Sequence, residues 1–372
     1  MTLIQEHSVT LSLDLPQGDV HAQMAVFYNP VMSSNRNLSI LLLNSIPGKK
    51  LKIADPFAGS GIRSLRFLKE LKKGKIKQLC VNDFKDNFTS QFREGAKRNN
   101  LDVAALLKKD LVHVSQDDAS LFLLKETGFD YIDIDPFGSP NPFLAAAMAR
   151  ISRGGILAVT ATDTAALTGT YPHATRRKYW AESQRNYLMH EIGLRILIRR
   201  IQLQGVQFDK ALTPLLAYHR DHYFRVYCQM EKGKEKCDEI LKQHNYFLWC
   251  PHCLRSTVSV FNSADCECGK KMQFAGPLWC GELAEQSLLQ KMLKNNPFPE
   301  EAKFLTLLLG ETAFPSCGFY DLHAVARKYK LTIPPFEKVL SSLQAVRTHF
   351  SPHGIKTKHS FADVLTLMKT WK

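Results

Sequence analysis

Apolar residues recur along this chain in short runs that switch between the period of a strand and that of a helix. Val9, Leu11, Leu13 and Leu15 alternate with polar neighbours and predict a strand up to Pro16-Gln17-Gly18. Val26-Phe27-Tyr28-Asn29-Pro30 and Ser33-Ser34-Asn35-Arg36 lead into a helix from Asn37 to Ile46, closed by Pro47-Gly48. From there strands and helices take turns. Leu51 to Asp55 is a strand whose following helix ends near Gly74, and Gln78 to Asn82 and Leu111 to Val114 are the next two strands. A fourth strand ends at Asp135; a helix from about Pro142 to Ile151 and a strand from Ile156 to Thr160 follow it. One long helical run from about Arg177 to Leu203 and two closing strands, Leu212 to His219 and Tyr223 to Met230, complete the unit. This alternation predicts an α/β fold with a doubly wound sheet over residues 1–232.

The pattern changes after residue 232. A smaller C-terminal α+β domain is expected over 233–372, beginning with a small ribbon at about 246–283 that carries Cys250-Pro251-His252-Cys253 and Cys266-Glu267-Cys268-Gly269. Four thiolates in two close pairs can enclose a tetrahedral structural Zn2+, which makes Cys250, Cys253, Cys266 and Cys268 the predicted ligands. The second pair has one intervening residue instead of two, so His252 or Cys280 stands as an alternative to one thiolate. Further on, Pro334-Pro335-Phe336 opens a helix through Leu343, and the segment from Arg347 to Thr357 has the composition of a hairpin, as in a winged helix.

Two strand ends carry the candidate chemistry. Asp55 is followed by Pro56-Phe57-Ala58-Gly59-Ser60-Gly61, where Gly59 and Gly61 allow the backbone to approach a ligand closely. Asp83 ends the next strand, the place from which an acidic residue meets ribose hydroxyls. An Asp ahead of the glycines suits a cationic amino-acid end better than a pyrophosphate, so S-adenosyl-L-methionine is preferred to a dinucleotide. Asp118 either caps a helix or accepts from an adenine amine. Asp135-Pro136-Phe137-Gly138 places a carboxylate and an aromatic ring at the carboxyl end of a strand, the ligand side of an open α/β sheet. That pairing suits alkylation of the exocyclic amine of a base.

The chain has 372 residues and a formal charge of +14 spread through globular sequence, which points to a folded surface for a polyanion. No stretch has the length or apolar content to span a bilayer, so no membrane partner is expected and the predicted location is cytoplasmic. Arg176, Arg177 and Lys178 read equally as RNA contacts or as a solvated helix end. A monomer is compatible with every feature noted.

Taken together these blocks resemble the tRNA guanine-26 N2-dimethyltransferases. The resemblance is carried by Val26-Phe27-Tyr28-Asn29-Pro30 with Asn35-Arg36, by Asp55 to Arg63, by Asp133-Ile134-Asp135-Pro136-Phe137-Gly138-Ser139-Pro140, and by Thr162-Asp163-Thr164-Ala165 with Tyr171-Pro172. It continues through Arg177-Lys178-Tyr179, Gly276-Pro277-Leu278-Trp279 and Arg347-Thr348-His349-Phe350 with Gly354-Ile355-Lys356-Thr357. The resemblance implies a Rossmann-like methyltransferase that uses S-adenosyl-L-methionine, takes tRNA as partner and methylates guanine N2 twice. It further implies that Arg36, Arg63, Asp83, Asp118 and Ala119 contact the cofactor, that Asp135 receives the guanine amine, and that Phe27 and Phe137 hold the base, with Tyr28 and Asn29 nearby. Alternatives of the same composition are a methyltransferase of another base amine in RNA and a non-catalytic zinc-ribbon RNA-binding protein.

Overall fold

The structure, a computed structural model, describes residues 2–13, 28–48 and 50–371. Fifteen strands are described, β1 (Thr2–Glu6) and β2 (Val9–Leu13) forming an amino-terminal hairpin. The central sheet takes β3 (Leu51–Asp55), β4 (Ile76–Asn82), β5 (Val112–Ser115), β6 (Phe129–Ile134), β7 (Ile151–Ala161), β8 (Lys210–Arg220) and β9 (Tyr223–Lys232). Their order across the sheet is β5-β4-β3-β6-β7-β9-β8. The first five are parallel; β9 runs antiparallel to both β7 and β8. Successive strands step outward from β3 to β5, and β6 then returns to the other side of β3. This makes the gap beyond the carboxyl ends of β3 and β6 the point where the winding reverses, the place where such sheets bind ligands.

Burial on both faces explains why these strands are almost continuously apolar. Ile53, Ala54, Leu79, Val81, Ile132 and Val159 are all fully buried. The helix Met189–Val206 covers one face, and Ser33–Ser45 and Ile62–Glu70 belong to the other.

The predicted long helix from Arg177 to Leu203 is two helices, Pro172–Tyr179 and Met189–Val206. Trp180 ends the first in the left-handed conformation, at φ 52°. The stretch between them is drawn off to pair with the carboxyl-terminal half, Glu182 and Gly276 exchanging two backbone hydrogen bonds of 2.8 Å. The amino-terminal strand is half of a hairpin whose first strand lacks a clear apolar alternation; Leu15 lies outside the described residues.

After Lys232 come the ribbon strands β10 (His244–Trp249), β11 (Ser256–Ser259) and β12 (Gln273–Trp279), ordered β11-β10-β12. The last unit packs helices Leu322–Tyr329, Phe336–Ser342 and Phe361–Thr370 against β13 (Tyr320–Asp321), β14 (Val346–Thr348) and β15 (Ser351–Lys356), the expected winged helix. Apolar packing runs through the junction at 232. Phe247, Ala275, Leu278, Trp279, Phe319 and Phe350 share a core with the central sheet, and Leu288, Leu289, Leu305 and Leu308 share another with the Ser33–Ser45 helix. Among the described residues no helix is long and apolar enough to cross a membrane.

The hairpin is held by charge. Glu6, 5% exposed, accepts from Arg36 Nε and Nη2 at 2.7 and 2.6 Å, from Arg66 Nη1 at 2.8 Å and from the Tyr28 hydroxyl at 2.9 Å. Burial pushes the Glu6 carboxyl up, but Arg36 and then Arg66 outweigh it and hold it at about 2 against an ordinary 4.5. A depressed carboxyl contributes stability above its unfolded pKa and loses it as pH falls toward the folded one. Glu6→Gln should therefore cost about 3–5 kcal/mol near neutral pH, the range for breaking a buried pair. The gap between wild type and variant should close as pH falls from 4.5 to about 2 in urea unfolding series.

Candidate active site and metal centre

Asp55, at the end of β3, stands beside Asp133 near the end of β6, and Asp135, two residues on, shares that face of the chain. Asp133 is fully buried and bound by two arginines. Arg225 in β9 grips both of its oxygens at 2.8 Å, and Arg63 Nη1 lies 3.3 Å from Oδ2. Burial works against this charge, but Arg225 and Arg63 hold the Asp133 carboxyl below its ordinary range. Arg63, at the start of the helix after the glycine turn, also donates to Asn35 Oδ1 at 3.0 Å and Ser39 Oγ at 3.1 Å, and its Nη2 bonds Asp135 Oδ2. Among the described residues this is the one hydrogen bond to the Asp135 carboxylate, which remains 16% exposed at the mouth.

Asp55 is buried and accepts from Ser64 Oγ at 2.7 Å. Its carboxyl is pushed up to about 7, by burial first; Arg63 opposes the rise and the charges of Asp133 and Asp135 add to it. The three carboxylates share two guanidiniums, and Asp55 is the one left short of a cation.

The loops around this centre are tied by backbone and amide groups. Gly59 and Gly61 have φ of 58° and 74°, and a Cβ on Gly61 would lie 2.6 Å from Phe92 Cδ2, so the turn tolerates no side chain there. Asp83 accepts from Gly59 N at 2.7 Å and so braces the turn. Asn82, fully buried, donates to Pro56 O at 3.2 Å and Asp117 O at 3.0 Å and accepts from Asp117 N at 2.9 Å, clamping the two loops together. Asp118 caps the helix Ala119–Lys125 through Ser120 N and Leu121 N, and Ala119 is buried just inside it. On the other side, Gly138 N donates to Thr162 Oγ1 at 2.7 Å and Ser139 meets the Tyr179 hydroxyl, which donates to Asp163 at 2.6 Å. Phe137 rises from this braced loop, 52% exposed.

The structure thus links Asp55, Arg63 and Asp135 in one charged network and ties the turn of Gly59 and Gly61 to Asp83 beside it. Arg36, in the first turn of the helix Ser33–Ser45, donates to Glu6 and to Asn29 O. Phe27 lies outside the described residues. Asp133, Arg225, Asn35, Ser39 and Asn82 were not among the candidate residues. The signal for Arg225 was available in Tyr223-Phe224-Arg225-Val226-Tyr227, where a single cation interrupts an apolar strand.

In the ribbon the four predicted cysteines meet, with all four sulfurs within 4.8 Å of one another. Cys250 and Cys268 Sγ are 3.6 Å apart and Cys253 and Cys266 Sγ 3.3 Å. Tetrahedral Zn–S bonds of about 2.3 Å require sulfur separations of roughly 3.8 Å, close to these. Each pair rides on a tight turn: Leu254 N bonds Cys250 O, and Gly269 N bonds Cys266 O. The second turn brings Cys266 and Cys268 together across a single residue. His252 is exposed and outside the cluster, and the Cys280 thiol points to Leu278 O at 3.8 Å, so neither replaces a thiolate.

Residues 3–369 match the family model described as N2,N2-dimethylguanosine tRNA methyltransferase. The chain is 36% identical to a tRNA (guanine(26)-N(2)/guanine(27)-N(2))-dimethyltransferase of Aquifex aeolicus, over 99% of this chain and 96% of that one. It is 36% identical to the tRNA (guanine(26)-N(2))-dimethyltransferase of Methanobrevibacter smithii, over 96% and 95% of the two chains. Among solved structures, Trm1 from Pyrococcus horikoshii in complex with S-adenosyl-L-methionine superposes with a TM-score of 0.84 at 29% identity, covering 98% of this chain and 99% of that one.

Elemental analysis of the purified protein should find one zinc per chain, and Cys253→Ser should remove it. Metal removal should lower the melting temperature, since a structural site contributes roughly 10–16 kcal/mol of binding free energy to the ribbon it organises. Zinc content unchanged in the variant would contradict this assignment.

Proposed function

Because the chain belongs to the N2,N2-dimethylguanosine tRNA methyltransferase family, we propose that the opening beyond β3 and β6 is where it methylates the exocyclic N2 of guanine 26 in tRNA, twice in succession, with Asp135 receiving the amine. The observation that carries this reading is the half-sequestered Asp135 carboxylate, held on one side by Arg63 and standing beside an exposed aromatic ring on a braced loop.

The glycine turn fits S-adenosyl-L-methionine. Gly59 and Gly61 keep the turn close and free of side chains, and Ser60 Oγ is buried there without a hydrogen-bond partner. Asp55, short of a cation, accounts for the ammonium of the amino-acid end, Asp83 for ribose hydroxyls and Asp118 with Ala119 for the adenine edge. Arg36, held through Nε and Nη2 by Glu6 and Asn29 O, supports the helix carrying Asn35 and Ser39 and is assigned to the cofactor through its remaining nitrogen. When bound, the cofactor supplies an electrophilic methyl on a sulfonium that leaves as a neutral thioether, so no general acid is needed.

Guanine N2 is a weak nucleophile because its lone pair is delocalised into the ring. A carboxylate that accepts one N–H localises that pair toward the incoming methyl, and a hydrogen bond to a charged group contributes roughly 1.5–3 kcal/mol. As the N–C bond forms, Asp135 takes the displaced proton and passes it to water at its exposed edge. Phe137 offers a face for the base, and Phe27 is assigned the other; stacking contributes about 1–3 kcal/mol per base and offsets much of the cost of extracting the guanine from the tRNA core. Zinc takes no part in the transfer and organises the ribbon beside the winged helix, whose basic surface is assigned to tRNA phosphates. Such a substrate places the work of the protein inside the cell.

Mass spectrometry of nucleosides from unmodified tRNA incubated with protein and S-adenosyl-L-methionine should show N2,N2-dimethylguanosine, lost in Asp135→Ala. Methyladenosine instead would overturn the choice of base. Cofactor binding has its own signature. Asp55 must give up its proton to pair with a cation, so affinity should rise from pH 6 to 8 through the Asp55 value of about 7 in wild type and become flat in Asp55→Asn, by calorimetry.

A further inference from the structure

Arg225 lies on β9, ninety residues from Asp135 and with no hydrogen bond to it among the described residues, yet its guanidinium is the most heavily committed group in the buried network. Nη1 donates to Asp133 Oδ1 and to Thr160 Oγ1, each at 2.8 Å. Nη2 donates to Asp133 Oδ2 at 2.8 Å, Ser39 Oγ at 3.1 Å and the Tyr131 hydroxyl at 3.2 Å. The guanidinium carbon sits 4.5 Å over the Tyr227 ring, and the Tyr227 hydroxyl meets Ser39 Oγ at 2.8 Å.

Two of these partners are shared with Arg63. Asp133 Oδ2 lies 3.3 Å from Arg63 Nη1, and Ser39 Oγ accepts from that same nitrogen at 3.1 Å. Arg63 Nη2 is the group that engages Asp135 Oδ2. The planar fork of Arg225 fixes Asp133 and Ser39, these fix one nitrogen of Arg63, and the other nitrogen of Arg63 then has one place to meet Asp135. A buried pair of this kind adds little net stability over apolar packing, so stability alone does not account for it.

We propose that Arg225 is a positioning residue for the methyl transfer, setting through Asp133, Ser39 and Arg63 the orientation in which Asp135 keeps one oxygen engaged and its second available to the guanine amine. This rests on the reading of Asp135 as the amine acceptor. Displacement of a reacting group by about 1 Å costs on the order of 100-fold in rate, which sets the size of effect to expect.

Steady-state kinetics on tRNA with Arg225→Lys and Ser39→Ala decide it. Lysine keeps the charge and loses the fork; alanine removes the shared hydroxyl without touching a charge. For Arg225→Lys, kcat should fall on the order of 10- to 100-fold with KM for tRNA and cofactor changed less than about threefold, the split expected when the chemical step alone is impaired. Ser39→Ala should move the same way by a smaller factor; losing a buried hydroxyl that pairs with Arg63, Arg225 and Tyr227 should also lower its melting temperature, so its rate is compared at a temperature where it is fully folded. Folded variants whose kcat stays within about twofold of wild type would overturn the proposal, as would a loss of rate that tracks the unfolded fraction and returns on cooling. Should Arg225→Lys fail to fold, the kcat of Ser39→Ala alone decides between these outcomes. Wild type that forms no methylated guanosine overturns the site reading and this proposal together; an active wild type with indifferent variants overturns this proposal alone.

Discussion

Three carboxylates and two guanidiniums occupy one buried volume where the sheet reverses its winding, and the balance of charge there constrains its surroundings. Asp133 takes both arginines, Asp135 takes one hand of Arg63, and Asp55 is left to remain neutral or find a cation. A desolvated charge left unpaired would cost several kcal/mol, so the neighbouring positions cannot be apolar. This is why Asn35, Ser39 and Thr160, all at or near zero exposure, interrupt faces that are otherwise leucine, isoleucine and valine. It is also why the helix Ser33–Ser45, with serine and asparagine scattered through it, has no clean apolar stripe although it is buried almost throughout.

The order of elements was legible because each parallel strand is an apolar run bounded by turn residues, and because glycine and proline mark the loops at the ligand end. Asp55, the glycine turn and Asp135 were legible for the same reason: they stand at strand ends, where a polar residue breaks an apolar pattern. Arg225 and Asn82 were not picked out, since each lies within or at the end of a strand and acts on residues far off in the chain, contacts that local periodicity does not encode. The division of the Pro172–Val206 region into two helices was hidden for a related reason. Local propensity there is helical throughout, and the break comes from Glu182 pairing with Gly276.

The ribbon shows the complementary case, in which few local residues suffice. Four cysteines on two turns define its centre, while the bend after its outer strand leaves Val260 and Phe261 in solvent. Its remaining stability is borrowed from neighbours: Tyr329 of the winged helix donates to Cys253 O at 3.0 Å, and Trp249 donates to Tyr187 of the central unit at 3.3 Å.

Glu301 accepts from Ser34 at 2.9 Å and from Asn37 at 3.1 Å, and it also pairs with Arg220. Ser34 and Glu301 are 267 positions apart. A ribosome adding roughly 5–20 residues per second needs some tens of seconds to cover that span. For most of that interval the residues of the helix Ser33–Ser45 are outside the ribosome without the segment that later covers their leucines. The later segment thus closes a part of the chain made long before it, and the face it covers lacks its partner until residues around Glu301 emerge.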